Sequence, residues 1–410
     1  MSFACPIPGG LLPQFEGREC TAAAVTPSGQ RSLGEEPRSD LREGVKVIIQ
    51  HITNDSHELD QWDEFLMSSP RGHYCQLSTY LKSFRAYGFD YHVIVAKHQE
   101  NDQVFGGMGL LEVGKRPLNV VIAPMGPIID VGQEESFSSL ISEAISFSRS
   151  VGAFLFQLKI PFAKEFADPA ILPTVTMPTG ASHRDGFPFA LMAIPNQMLW
   201  IEFGDIASDD EWEAHMFKRF SSGKRRDIRM SERNGLSVHQ VTKEPELKEA
   251  YSVIELNGHE QGYSTRSWEE FSPTLIEQVH KGQAVVLVVC REGQILGAHY
   301  GVLAGRRWSY LMGGTVRTDK DYNVGAFLHW QVMKTARAMG LRGYDLTSMG
   351  SSGVAQFKMG FRPTHIKFAS PQHFILSHWR FAAFMKMYPA LKKYKRAFAR
   401  YAQFLFRKGR

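Results

Sequence analysis

Cysteine is scarce in this chain: four of its 410 residues are Cys, and they form neither a CxxC pair nor a spacing with His that is typical of zinc sites. A structural zinc site and a disulfide framework are therefore not expected. The GxSxG elbow, the P-loop, HExxH and a GxGxxG after a strand are also missing, which argues against the common hydrolase, nucleoside-triphosphatase and dinucleotide-dependent classes. We predict no bound metal and no bound cofactor.

Long hydrophobic runs are missing as well. No stretch reaches the roughly 18 apolar residues that a membrane-spanning helix needs. The opening residues MSFACPIPGGLLPQFEGREC lack the cationic start and apolar core of a signal peptide. The sequence therefore predicts a cytoplasmic protein.

Acidic residues are absent from the last part of the chain. Residues 374–410 contain ten Lys and Arg and no Asp or Glu, whereas the whole chain has a net charge of +5, so the remainder sums to 5 − 10 = −5. This uneven distribution argues against a general coat on nucleic acid, and no DNA partner is expected. The tail also has an amphipathic spacing, which fits an anionic membrane surface at the inner face of the cell membrane, packing on the protein itself, or, as a lesser option, RNA. The residues with this spacing are Tyr394, Phe398, Tyr401 and Leu405.

Composition and pattern divide the chain into four parts. Residues 1–44 contain five Pro and six Gly with little apolar periodicity, which predicts a disordered extension. Residues 45–197 alternate β-rich runs with amphipathic stretches, as mixed α/β proteins do, and residues 198–372 repeat that order of elements. Residues 373–410 form the basic amphipathic tail.

Sequence landmarks recur in the two central parts at a nearly constant distance. Gly106 and Gly297 are 191 positions apart, whereas Gly126 and Gly314 are 188 apart. The repeat predicts two tandem α/β (α+β) domains, each with a mixed, mostly antiparallel sheet flanked by helices. We expect Gly106 and Gly297 to lie in tight turns and Gly340 to end a helix in the left-handed conformation.

The most basic stretch is KRFSSGKRRDIRMSERNG, residues 218–235, with seven basic and two acidic residues. If its second part is helical, Arg225, Arg229 and Arg233 share one face. Such a row can grip phosphate oxygens, and the Ser-Ser-Gly turn before it can present free amides to the same anion. A solvated helix face explains the same residues equally well.

A second stretch, YDLTSMGSSGVAQFKMGF at residues 344–361, joins a strand end to a Gly/Ser loop and a short helix. It places Asp345 near the carboxyl end of the strand, an edge at which α/β folds often bind ligands. Lys358 stands among apolar neighbours, so its charge either reaches out to solvent or is aimed at an anion formed during a reaction. Lys82 and Arg85, on a helix expected to begin near Ser78, are weaker candidates.

In ordered sequence, these motifs resemble the Fem-type peptidoglycan-bridge aminoacyltransferases, which have a duplicated GNAT (N-acyltransferase) fold. The resemblance spans roughly residues 60–362 and is carried by several segments in family order: WDEFLMSSPRGHYCQLSTYLKSFRAYGF, APMGPIID, GKRRDIRMSERNGL, GGTVRTDKDYNVGAFLHWQVMKTARAMGLRGYDL and GVAQFKMGF. It implies two GNAT-like domains and transfer of an aminoacyl group from a charged tRNA to an amine of a peptidoglycan or other cell-envelope precursor.

The same resemblance assigns roles to particular residues. It implies that Lys358 stabilises the negative charge that develops during acyl transfer, that Arg225 and Arg229 contact precursor phosphates, and that Lys82 is a looser match to a phosphate-contacting lysine. The general base stays open between Asp345 and a group of the substrate.

The donor also stays open at the level of sequence. Tyr322 and Gly325, in YNVGAF, occupy the place of the Q/RxxGxG/A loop of the acyl-CoA-using branch, but only Gly325 matches that loop. We therefore predict substrate contacts from these two residues and an aminoacyl-tRNA donor. An acyl-CoA donor in polysaccharide or small-molecule biosynthesis is the alternative, and a membrane-associated scaffold without catalysis is a third.

Overall fold

The computed structural model describes residues 47–52, 55–161, 194–261, 265–347 and 351–393, together with 163, 168, 172 and 180–182. The predicted disordered extension and the aromatic positions of the basic tail lie outside these ranges. Two mixed sheets flanked by helices account for the described residues. The predicted fold class, two GNAT-like α/β units in tandem, is confirmed.

The first sheet has the strand order β1-β2-β3-β4-β6-β14, with β5 paired to β3. Neighbouring strands are antiparallel except β4 and β6, which are parallel. Its strands are β1 (Val47–Ile52), β2 (Asp90–His98), β3 (Val104–Val113), β4 (Val120–Pro124), β5 (Ile128–Ile129), β6 (Leu155–Lys159) and, from the far end of the chain, β14 (Gln372–Ile375). The helices of this half are α1 (Ser56–Ser68), α2 (Ser78–Lys82) and α3 (Phe137–Ser150).

The second sheet has the order β13-β7-β12-β11-β10-β9-β8, and its one parallel pair in the described ranges is β11 with β12. Its strands are β7 (Gln197–Glu202), β8 (Ser237–Val241), β9 (Ala284–Arg291), β10 (Gln294–Ala304), β11 (Arg307–Thr315), β12 (Gly343–Asp345) and β13 (Thr364–Lys367). The helices are α4 (Asp209–Arg219), α5 (Ser222–Arg233), α6 (Glu244–Gln261), α7 (Trp268–His280), α8 (Val324–Ala338) and α9 (Ser352–Met359), followed by α10 (His378–Lys393).

The repeat is visible in the order of elements. The run β2, β3, β4, α3, β6 corresponds to β9, β10, β11, α8, β12, and α3 and α8 begin 187 residues apart, at Phe137 and Val324. Gly340 has a φ of 70° directly after α8, as predicted. The expectation for Gly106 and Gly297 was wrong, because both lie inside strands. Glycine at position 297 is explained by close packing, since a Cβ there would lie 2.7 Å from Cγ1 of Val324.

The two halves share buried contacts. The Asp63 carboxylate on α1 accepts hydrogen bonds from Ser78 and from Nε2 of Gln283, and the Thr79 hydroxyl donates to Oε1 of Gln283 at 2.6 Å. Burial raises the pKa of Asp63 above its ordinary value, while these bonds act in the opposite direction. Because every partner in this chain of bonds is buried, the network ties the first half to the second. The domain boundaries at residues 197 and 372 stay a prediction.

Candidate functional site

The parallel strands of the second sheet part where the chain changes direction. β11 and β12 are paired at three positions, ending with Ser309 and Asp345, after which β11 runs on to Thr315 while β12 has ended. In the first sheet the corresponding pair, β4 and β6, keeps five paired positions to the ends of both strands. A parting of parallel strands leaves backbone groups and space that a ligand can use. This opening therefore belongs to the second half of the chain.

Lys358 reaches this opening from α9. Its side chain is buried, and its Nζ donates a 2.6 Å hydrogen bond to the carbonyl oxygen of Leu346, the residue that follows β12. The ammonium also lies 4.9 Å from the ring centre of Tyr310 on β11. Burial lowers the pKa of Lys358 to about 8, against the attraction of Asp345. The lysine thus carries a poorly solvated charge between the two diverging strands.

Asp345 ends β12 and is held by the backbone. Its Oδ1 accepts hydrogen bonds from the amides of Leu199 at 3.1 Å and Thr347 at 2.7 Å. Burial raises the pKa of Asp345 to about 6, opposed by these amides, by Arg307 and by Lys358. Asp345 and Lys358 are therefore close enough for their charges to interact, as expected from the sequence, but the fixed carboxylate also shapes the turn.

The basic helix α5 begins against the end of α9. The amide of Ser221 donates to the carbonyl of Gly360 at 2.9 Å, and the Ser221 hydroxyl caps the helix by accepting from the amide of Lys224. Phe220 and Phe361 pack edge to face at 5.3 Å. The predicted helix and its Ser-Ser-Gly start are present, and they lie next to the element that carries Lys358.

Arg225 and Arg229 differ in their surroundings. Arg225 is half-buried, and its Nη1 donates to the carbonyl oxygens of Phe220 at 2.6 Å and Lys218 at 3.4 Å, so it stabilises the end of α4. Arg229 is exposed and lies 5.7 Å from the ring of Phe217. Of the two, Arg229 has the guanidinium that is available to an anion in solution.

Lys224 is a site residue that the sequence interpretation missed. It is buried, with its Nζ 3.6 Å from the centre of the Phe357 ring and 3.8 Å from a carboxylate oxygen of Asp227. Burial lowers the pKa of Lys224 to about 8, against Asp227. The available signal was helical spacing, because Lys224 shares its face with the buried Ile228 at i+4.

Two histidines and a tyrosine form a second group that the sequence interpretation missed. The Tyr344 hydroxyl lies 3.0 Å from Nε2 of His299 and 2.7 Å from Nδ1 of His329. All three side chains are buried, and they come from β12, β10 and α8. Burial lowers the pKa of His299 to about 3 and that of His329 well below its ordinary value, so both rings are neutral near pH 7. The His329 ring lies 5.5 Å from Phe357 and 5.1 Å from Tyr310, beside Lys358.

Tyr322 and Gly325 lie at the start of α8. A Cβ at Gly325 would lie 3.4 Å from the ring of Phe357, so this glycine permits contact between α8 and α9. The Tyr322 hydroxyl accepts a 2.9 Å hydrogen bond from Arg291, whose guanidinium also lies 4.5 Å from the Tyr322 ring. Gly325 is thus part of the site, and Tyr322 is engaged at its border.

Lys82 has a different partner. Its ammonium forms an exposed ion pair with Glu277 of α7 at 2.9 Å. Such a pair is easily exchanged for another anion because exposed ion pairs contribute little free energy. Lys82 is therefore not joined to the Lys358 site by any contact in the described part of the chain.

Neither metal ligation nor membrane crossing is indicated by the described ranges. Among the described side chains, no three His, Cys, Asp or Glu are grouped as metal ligands. No helix within those ranges is both long and apolar enough to cross a bilayer. The side chains that surround the opening act instead through buried cations, aromatic rings and hydrogen bonds.

Comparison with known proteins agrees with this geometry. Residues 218–359, which include α5, the opening and Lys358, match the family model described as an acetyltransferase (GNAT) domain. The crystal structure of FemX has the same fold, with a TM-score of 0.66 and 16% identity over 83% of this chain and 99% of that chain. No curated protein sequence matches the chain.

Two further solved structures are less similar. The C-terminal domain of a putative lysylphosphatidylglycerol synthetase from Agrobacterium fabrum has a TM-score of 0.46 and 14% identity over 82% of this chain and 96% of that chain. L-PGS from Bacillus licheniformis has a TM-score of 0.45 and 13% identity over 78% and 92%. Neither supports an argument about this site. The family match and the FemX likeness together identify the chain as a protein with the FemX fold whose second half contains a GNAT-type acyltransferase domain.

Proposed function

We propose that this protein is an N-acyltransferase that transfers an aminoacyl group from a charged tRNA to an amine of a peptidoglycan or other cell-envelope precursor. The observation that carries the proposal is the buried ammonium of Lys358 in the opening between β11 and β12, close to the N-terminus of the basic helix α5. A buried cation without full solvation is costly unless it serves a charge that forms there.

The chemistry follows from that position. An amine that attacks an ester or thioester carbonyl generates an oxyanion, and one preorganised cation stabilises it by several kcal/mol in a water-poor site. A lysine with a pKa of about 8 remains mostly protonated at pH 7. Since its existing bond is to the Leu346 carbonyl, the ammonium has hydrogens left for a second acceptor. Lys358 can therefore bind the developing oxyanion without being displaced from the backbone.

The acceptor would be held through its phosphates. Arg229 is exposed on α5, and α5 begins beside α9. Guanidinium groups bind phosphate in bidentate fashion, which suits a sugar-linked or lipid-linked precursor. Arg225 would contribute by fixing the end of α4, and Lys82 by exchanging Glu277 for a phosphate.

A peripheral position at the inner membrane surface is part of the proposal. Trp379 on α10 is 73% exposed, and the chain beyond residue 373 carries the +10 charge. Exposed Trp beside basic residues is typical of binding to anionic lipid interfaces. Co-sedimentation with vesicles of anionic phospholipid, compared with neutral vesicles and with Trp379→Ala, tests this contact; equal recovery with both vesicle types would contradict it.

An acyl-CoA donor is the second candidate, favoured by the description of the matching family model as an acetyltransferase domain. In that case the start of α8, with Tyr322 and Gly325, would meet the phosphates of the donor. The product would then be an N-acylated sugar or small molecule.

A donor screen separates the two. Purified protein is incubated with charged tRNAs or with acyl-CoAs and a set of amine acceptors that includes a peptidoglycan precursor, and product mass is measured. We expect aminoacyl transfer to the precursor, and a loss of about 10²- to 10³-fold in Lys358→Ala. The matched control is Lys248→Ala, which removes an exposed lysine. Transfer from acyl-CoA alone would support the second candidate, and unchanged activity in Lys358→Ala would refute the role of that lysine.

A further inference from the structure

The hydrogen-bond chain of His299, Tyr344 and His329 contains more donors and acceptors than a structural role explains. The Tyr344 hydroxyl has one proton, so it can donate to one histidine and must accept from the other. The two distances, 3.0 Å to His299 and 2.7 Å to His329, place both rings within hydrogen-bond reach of that oxygen. The protonated nitrogen of one ring therefore determines that of the other.

The environment of His299 determines the direction of the chain. Its Nδ1 is buried and has no hydrogen-bond partner in the described part of the protein. The backbone of His299 itself raises the pKa of this ring against the lowering by burial, as a carbonyl oxygen near a ring N–H would. This places the proton of His299 on Nδ1, so that Nε2 accepts from Tyr344.

The direction propagates to His329. Since the Tyr344 proton is directed to His299, the Tyr344 oxygen accepts from Nδ1–H of His329. Nε2 of His329 is then a bare acceptor. His329 is 7% exposed, whereas His299 is fully buried, and Nε2 of His329 is not among the fully buried unpartnered nitrogens of the described residues. The ring lies among Tyr310, Phe357 and Phe361, on the side of the Lys358 site.

We propose that His329 is the general base of the acyl transfer, with His299 and Tyr344 as positioning residues that hold its Nε2 unprotonated toward the acceptor amine. This inference rests on the proposed function. It replaces Asp345 as base, because Oδ1 of Asp345 already accepts from two backbone amides.

The step is balanced without any further reagent. The nitrogen of a neutral amine attacks the carbonyl carbon of the donor, the C–N bond forms, and the carbonyl electron pair moves onto oxygen beside Lys358. Nε2 of His329 accepts one proton from the new ammonium. The intermediate then collapses, the bond from carbon to the leaving oxygen or sulfur breaks, and the leaving atom receives that proton from His329. Products are the amide and the free hydroxyl or thiol.

The weak basicity of the ring is compatible with this step. Burial is the first cause of the lowered pKa of His329, and His299, Lys358 and Lys224 add to it as neighbouring cations or potential cations. The nitrogen of a tetrahedral intermediate is a far stronger acid than a free alkylammonium, so a weak base suffices to deprotonate it.

Nitrogen NMR of the protein labelled with ¹⁵N-histidine tests the assignment directly. The bare and the protonated nitrogens of a neutral imidazole resonate far apart, and the His329 signals are assigned by through-bond correlation and by their loss in His329→Gln. We expect Nδ1–H and bare Nε2 in the wild-type protein, and a mixture of both tautomers in Tyr344→Phe, which removes only the hydroxyl. Nε2–H in the wild-type protein would overturn the proposal.

Kinetics provide the second test. His329→Gln should lower kcat by about 10²- to 10⁴-fold with little change in KM. Tyr344→Phe should lower kcat by roughly 10- to 100-fold, as loss of an orienting partner does. A His329→Gln variant that unfolds at the wild-type temperature and retains kcat within about threefold would refute the base role. Absence of transfer by the wild-type protein from every donor would instead refute the proposed function, whatever tautomer NMR reports.

Discussion

Replacing Lys358 with Met separates the cost of a buried charge from its use. The pKa of Lys358 lies at about 8 instead of 10.5, which corresponds to roughly 3 kcal/mol against the charged form in the folded protein. Methionine removes that cost but also removes the hydrogen bond to the Leu346 carbonyl, a loss of about 1.5–3 kcal/mol for a charged donor. At pH 7 the two changes nearly cancel, so we expect the free energy of unfolding to change by less than about 2 kcal/mol.

The pH dependence has a definite sign. Because the folded-state pKa of Lys358 is below its unfolded value, the unfolded chain binds more protons between about pH 8 and 10.5, and this lysine makes the wild-type protein more stable as pH rises through that range. Below pH 8 the cost is fully present. By pH 10 the wild-type protein should have gained about 2.5 kcal/mol relative to Lys358→Met.

Urea unfolding at pH 7 and pH 10, followed by tryptophan fluorescence, measures this difference. Groups other than residue 358 titrate in both proteins and largely cancel in the comparison. Lys248→Met, at an exposed position, is the control and should track the wild-type protein at both pH values. A wild-type minus Lys358→Met difference that is the same at pH 7 and pH 10 would refute the buried-charge argument, whereas acyl transfer should fall by about 10²- to 10³-fold in either case.

Three further outcomes are expected. Lys224→Met should stabilise the protein at pH 7 by about 1–2 kcal/mol in urea unfolding, because the buried ammonium has only a 3.8 Å carboxylate contact and ring contacts to offset its desolvation. Gly343→Ala should destabilise it by about 3 kcal/mol or more in thermal unfolding, since the new Cβ would lie 2.5 Å from a backbone oxygen, whereas Gly223→Ala in open space should be neutral or stabilising. Arg225→Ala should lower stability by about 1–2 kcal/mol, whereas Arg229→Ala should leave stability unchanged and raise KM for a phosphate-bearing acceptor; equal effects of the two on stability would contradict the contacts described.

The candidate site was only partly accessible from sequence. Lys358 and Asp345 could be selected because a charged residue among apolar neighbours and a carboxylate at a strand end are local patterns. Lys224 belongs to the same basic stretch as Arg225 and Arg229, yet the arginine row drew attention to the other face of the helix. His299 was hidden within an apolar strand, where a histidine is usually a core residue.

By itself, the sequence determined the elements and their duplication. Periodicity, the capping Ser221 and the left-handed Gly340 act over a few residues, so they fix where α5 begins and where α8 ends regardless of the rest of the chain. Only the tertiary structure decided that β11 and β12 part after three pairs, and that residues 299, 329 and 344 meet at one hydroxyl. These features depend on packing between elements that are distant in sequence, and the same local patterns would allow other registers and other neighbours.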